Sequence, residues 1–142
     1  MRDDPLYRRE ILRLAADATG AGHLPQSDAF ASVHNPACGD RVTVELALEA
    51  GVVTAMAHQT QACILTQASA ALLATLAPGQ DRESLTRLAG GIRAMLGGGP
   101  APAPGYAAFD GVAAHPGRHV CVLLPLEAAL KALEQHPSTS SG

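Results

Sequence analysis

Val42, Val44, Leu46 and Leu48 alternate with Thr43, Glu45 and Ala47, a period of two that predicts a strand with one buried face. Glu49-Ala50-Gly51 turns the chain, and Val52 to His58 reads as a second strand rich in β-branched residues, so the two runs form a hairpin. A short strand is expected just before it, at Ala29 to His34. Elsewhere the period is helical. Leu6, Tyr7, Ile11, Leu14 and Ala15 share one face of a helix from Pro5 to about Asp17, with Pro5 in its first turn. Gly20, Gly22 and Pro25 open an irregular stretch. From Cys63, Ile64, Leu65, Ala68, Leu72, Leu73 and Leu76 predict a helix that Pro78-Gly79 stops, and Leu85, Leu88, Ile92, Met95 and Leu96 predict another over Asp81 to Leu96. A last helix is expected from Cys121 to Gln135, with Leu123, Leu126, Leu130 and Leu133 inward and Pro125 in its first turn. The run from Gly97 to Gly105 holds four Gly and three Pro by position in the sequence; it is expected to be a mobile, exposed connection.

Strands and helices do not alternate as in a parallel sheet. The expected class is α+β, a small antiparallel sheet with helices packed on one face. Residues 1–135 are expected to form a single domain, and 136–142 a disordered tail. The chain has 142 residues, enough for one core. It is 47% hydrophobic but only 3% aromatic, so the core must be built from Ala, Leu and Val, with elements in close contact. Net charge is −3 and the basic residues are dispersed, which gives no footprint for nucleic acid. No apolar run reaches the roughly 20 residues of a membrane span, and the N-terminus lacks a signal-peptide pattern. A cytoplasmic protein is expected.

Three cysteines with no secretion signal point to reduced thiols for metal or chemistry, not to disulfides. Cys38 precedes the first hairpin strand, Cys63 follows the second, and Cys121 opens the last helix. Antiparallel strands bring the loops of Cys38 and Cys63 to one end of the hairpin, and a helix N-terminus favours thiolate at Cys63 and Cys121. With Asp40, turned towards the same point by Gly39, three thiolates and one carboxylate would complete a tetrahedral site of the kind zinc accepts. Taken singly, each cysteine reads equally as a small buried hydrophobe.

The surrounding residues separate the two readings. Asn35-Pro36-Ala37-Cys38-Gly39-Asp40, Ala62-Cys63-Ile64-Leu65-Thr66-Gln67-Ala68-Ser69-Ala70 and Arg118-His119-Val120-Cys121 resemble the iron–sulfur cluster assembly scaffold family, which includes IscU, SufU and the N-terminal domain of NifU. The resemblance runs from about Leu6 to Leu133. Arg118, three positions before the third cysteine, and the long segment from Asp81 to Gly105 resemble the SufU branch. Ala62, where Gly is usual, and Thr66, where Ser is usual, depart from the pattern.

The resemblance implies a protein that receives sulfur from a SufS-like cysteine desulfurase and serves downstream iron–sulfur acceptor proteins. It implies Cys38, Asp40, Cys63 and Cys121 as the metal set, holding zinc in SufU-type members or a transient iron–sulfur cluster in IscU-type members. The resemblance further implies Cys38 as the persulfide acceptor; Cys121, with His119 two residues away and Arg118 beside it, is the competing choice. On this basis the expected function is sulfur transfer at a zinc-bound cysteine, and the alternative is a non-catalytic scaffold on which a cluster is built. His119 is also a candidate ligand or proton carrier and Arg118 a candidate anion-steering group. His34 and His58 are expected to be structural, and Gly97 to Gly99 lack the Lys and spacing of a phosphate loop.

Overall fold

The computed structural model describes residues 8–36 and 39–135. In chain order its elements are helix α1 (Arg9–Asp17), strands β1 (Ala29–Asn35), β2 (Asp40–Glu49) and β3 (Val52–Gln61), helices α2 (Ile64–Leu76) and α3 (Arg82–Leu96), a 3-10 run Pro104–Ala114, a 3-10 turn Pro116–Arg118, and helix α4 (His119–Glu134). The strands form one antiparallel sheet in the order β1-β2-β3. The predicted hairpin is present, and each of its strands is longer than the alternation suggested. Its register runs from Arg41 opposite Gln61 to Glu49 opposite Val52. The turn therefore has two residues, Ala50 and Gly51, at φ 54° and 82°, the left-handed pair that matches strand twist in a tight hairpin. At the other end of β2, Asn35 pairs with Asp40 and closes a four-residue loop.

Val42, Val44 and Leu46 of β2 are fully buried, as the period of two requires. Helices α2 and α4 pack on this face, with α1 against α2 and α3 against α4. Helix α2 shows more than an apolar stripe: Leu65, Thr66 and every residue from Ala68 to Ala74 are buried. The sheet, α1 and α4 enclose it, and its alanines let them approach closely. Gly20 (φ 82°) permits a comparable approach, since a Cβ there would lie 2.6 Å from that of Ala74. The irregular stretch that begins there makes a short parallel bridge to β3 through Ala21 and His58.

Three expectations need correction. Helix α4 begins at His119, which puts Pro125 in its second turn; a proline there withholds the N–H that would bond the Cys121 carbonyl. The Gly/Pro-rich stretch is not a free connection. Pro102 presses on Gly91 of α3, where a Cβ would meet it at 2.6 Å, and Gly105 lies as closely against Leu72. It then leads into the 3-10 run, unassigned from sequence, which buries Tyr106, Phe109 and Val112. Helix α1 begins at Arg9; Pro5 to Tyr7 of the predicted helix, and the predicted tail 136–142, lie outside the described residues.

Candidate metal centre

Three elements end at one point. Asp40 is the first residue of β2 and 5% exposed. The chain reaches it through Gly39 at φ 75°, whose N–H donates to the Asn35 carbonyl at 2.8 Å. Cys63 caps the N-terminus of α2 in extended backbone. Cys121 is the third residue of α4 and 2% exposed. The pairing of Arg41 with Gln61 brings the start of β2 and the end of β3 together, which is why residues 23 positions apart in the sequence meet. One carboxylate oxygen of Asp40 and the sulfurs of Cys63 and Cys121 all lie within 4.8 Å of one another.

The Cys121 thiol points at Asp40 Oδ2 from 3.9 Å. Thr66, one turn into α2 from Cys63, donates its hydroxyl to the same Oδ2 at 3.3 Å and lies 3.5 Å from Cys63 Sγ. The Cys121 thiol, its hydrogen bond shared between Asp40 and Cys63, and to a smaller degree the Thr66 N–H, draw the Cys63 thiol down to about 5. The same hydrogen bond with Cys63 and then burial push Cys121 up, holding its proton. The expected thiolate preference thus holds for Cys63 and is reversed at Cys121, where a second thiolate beside Cys63 and Asp40 would be an uncompensated buried charge.

A cation removes that conflict. Tetrahedral bonds near 2.3 Å to sulfur and 2.0–2.2 Å to oxygen set ligand atoms roughly 3.6–3.8 Å apart. The observed 3.9 Å and the 4.8 Å limit need only small closure. Two thiols and a carboxylate fit zinc or iron.

Of the residues singled out from sequence, Asp40, Cys63 and Cys121 are together, and Cys38 lies outside the described residues. His119 bonds the Ala113 carbonyl through Nε2 at 3.2 Å, which gives its ring a structural attachment. Arg118 is exposed on the 3-10 turn before α4. His58 is buried and bonded to Thr19 and Thr60, a structural role as expected. Thr66 and Ser69 were missed as parts of the site. Cys63, Thr66 and Ser69 recur every three residues along one side of α2, a spacing that does not by itself tell a buried hydroxyl from a solvated one.

Known proteins resemble this chain in sequence and fold. The profile of the NifU-like N terminal domain family matches residues 6–104. The zinc-dependent sulfurtransferase SufU of Bacillus subtilis is 26% identical over 98% of this chain and 94% of its own. The N-terminal part of a nitrogen-fixing NifU-like protein from Brucella abortus superposes with a TM-score of 0.88 at 34% identity, over 95% of this chain and 96% of that one. An iron–sulfur cluster assembly scaffold of the SUF system from Fervidobacterium islandicum shares the fold, with a TM-score of 0.81 at 20% identity over 90% and 96% of the two chains. The chain therefore belongs to the NifU-like N-terminal domain family and has the architecture of the NifU/SufU scaffolds.

Proposed function

We propose that this protein works in iron–sulfur cluster assembly as a SufU-like sulfur acceptor, taking persulfide sulfur from a cysteine desulfurase at a zinc-holding cysteine centre. The observation that carries the reading is the convergence of Asp40, Cys63 and Cys121 from three separate elements; the likeness to SufU over nearly the whole of both chains supports it. Asp40, Cys63 and Cys121 hold the metal together with Cys38, two positions before Asp40 in the sequence. Zinc, when bound, keeps thiols deprotonated at neutral pH without redox chemistry of its own.

Cys38 is the acceptor. Its thiolate attacks the outer sulfur of the donor's cysteine persulfide; a new S–S bond forms as the donor's S–S bond breaks, and the electron pair leaves on the donor cysteine, which takes up a proton. Sulfur moves with no net oxidation, so no further oxidant is required. Gly39 gives the loop the backbone freedom to present this cysteine. The sulfur passes next to an iron–sulfur acceptor protein.

Two measurements test the reading. Protein purified without added metal should carry near one equivalent of zinc and be colourless; iron with sulfide-dependent colour would replace sulfur transfer by cluster assembly on the same residues. After incubation with a cysteine desulfurase and cysteine, peptide mass spectrometry should find one extra sulfur on Cys38. Finding it on Cys63 or Cys121 with Cys38 unmodified would overturn the assignment.

A further inference from the structure

Asp40, Thr66 and Ser69 are buried polar residues, and Thr66 is hydrogen-bonded to Asp40. Thr66 is fully buried on a helix whose other buried residues, Ser69 apart, are Ala and Leu. A hydroxyl in such a place needs a partner, and this one has two: Asp40 Oδ2 at 3.3 Å and Cys63 Sγ at 3.5 Å. One turn further, Ser69 donates to the Val122 carbonyl at 2.6 Å, next to Cys121 in α4. Helix α2 therefore bonds both elements that supply the other donors, β2 through Thr66 and α4 through Ser69.

We infer that Thr66 is a positioning residue of the metal centre: its hydroxyl, in contact with Cys63, donates to the Asp40 carboxylate and fixes which oxygen faces the two sulfurs. The inference rests on the metal-binding reading above and adds a residue to it. Thr66 touches donor atoms and is not itself a donor to the metal. Side chains that orient ligands in this way typically change metal affinity about 10–100-fold when removed. The methyl of Thr66 packs in the core and its hydroxyl serves the site, so the two contributions separate by substitution.

The test compares Thr66→Val, Thr66→Ser and Thr66→Ala with the unaltered chain. Zinc affinity is measured by competition with a chromophoric chelator, and the cobalt-substituted form is followed by its thiolate charge-transfer and d–d absorption. Thr66→Val should lose affinity about 10–100-fold and shift the cobalt d–d bands, and Thr66→Ser should restore both. Should Thr66→Val fail to fold, Ser against Ala decides, because those two differ only in the hydroxyl: weakened binding in Ala and not in Ser supports the inference. Equal binding by all variants, or equal loss in Ser and Ala, overturns it. Absence of zinc and cobalt binding by the unaltered chain would instead overturn the metal reading itself.

Discussion

His58 is buried away from the candidate metal centre, and its surroundings fix its protonation. Nε2 faces the Thr19 carbonyl at 2.9 Å and must donate, which leaves Nδ1 to accept from the Thr60 hydroxyl at 2.9 Å. A neutral ring satisfies both contacts. Burial lowers the pKa below 6.5, against a smaller opposing effect of the Thr19 bond. A histidine with a depressed native pKa stabilises the fold fully above its unfolded value. That contribution is lost as pH falls through about 6.5, because the unfolded chain takes up the proton first. Thermal unfolding of the wild type and of His58→Gln, whose amide can still donate to Thr19, should therefore diverge with pH. Between about pH 7.5 and about pH 5 the wild type should lose more stability than the variant; metal-ligand titrations are common to both and cancel. A difference in midpoint that stays constant across this range would refute the assignment. At this scale the sequence was most legible where residue type alone restricts the chemistry. Cys63, Cys121 and Asp40 could be named from motif and spacing, whereas Thr66 and Ser69 could not, because a hydroxyl on a helix is as often solvated as buried. Only the packing around α2 shows which case applies.

Elements were legible in proportion to the regularity of their apolar period. The hairpin, α2 and α3 all follow a period of 2 or 3.6, and each is present close to its expected limits. The 3-10 run was not legible, for a definite reason. Tyr106, Phe109 and Val112 recur every three residues, the 3-10 repeat, which brings exactly spaced side chains onto one face that a 3.6-residue template misses. Composition predicts a mobile approach through Gly97 to Gly105, whereas in the fold Pro102 is seated on Gly91. The neighbouring glycines of α3 turn this into a paired prediction. At Gly90 nothing lies within 4 Å of an added Cβ, so Gly90→Ala should gain about 0.5–1 kcal/mol of helix stability. At Gly91 the same methyl meets Pro102 at 2.6 Å, and forcing the stretch outward should cost about 1–3 kcal/mol. Urea unfolding of the two variants gives the signs directly. A stabilised Gly91→Ala would mean that the Gly/Pro-rich stretch yields freely. The metal centre should be unaffected in both, since Pro102 and Ala103 lie beside Leu76, at the end of α2 roughly 20 Å from Cys63 by helix rise.

At the scale of the molecule, the donors are joined only by the fold. Asp40 comes from the sheet, Cys63 from the first turn of α2 and Cys121 from α4, and an unfolded chain has no means of holding them within a few ångströms. Metal that binds the native arrangement and not the unfolded chain adds RT ln(1 + [L]/Kd) to stability, about 2.7 kcal/mol at a hundredfold excess of free metal over Kd. Each further tenfold increase adds about 1.4 kcal/mol. The apolar core does not depend on this term. Val42, Val44 and Leu46 meet Leu73 and Leu126 in one buried cluster, so the metal-free protein should still unfold cooperatively, at a lower midpoint. Denaturant unfolding in buffers of defined free zinc should therefore give a stability that rises linearly with the logarithm of zinc above Kd. Cys121→Ser should flatten that line while keeping a single transition, because α4 remains anchored by Val122, Leu126, Ala129 and Leu133. A midpoint independent of zinc in the unaltered chain would contradict the convergence of these donors on a metal. A slope in Cys121→Ser equal to that of the unaltered chain would place the zinc on other residues. Loss of cooperative unfolding in the metal-free protein would show that the metal, and not the packing of α2 and α4 on the sheet, holds the site together.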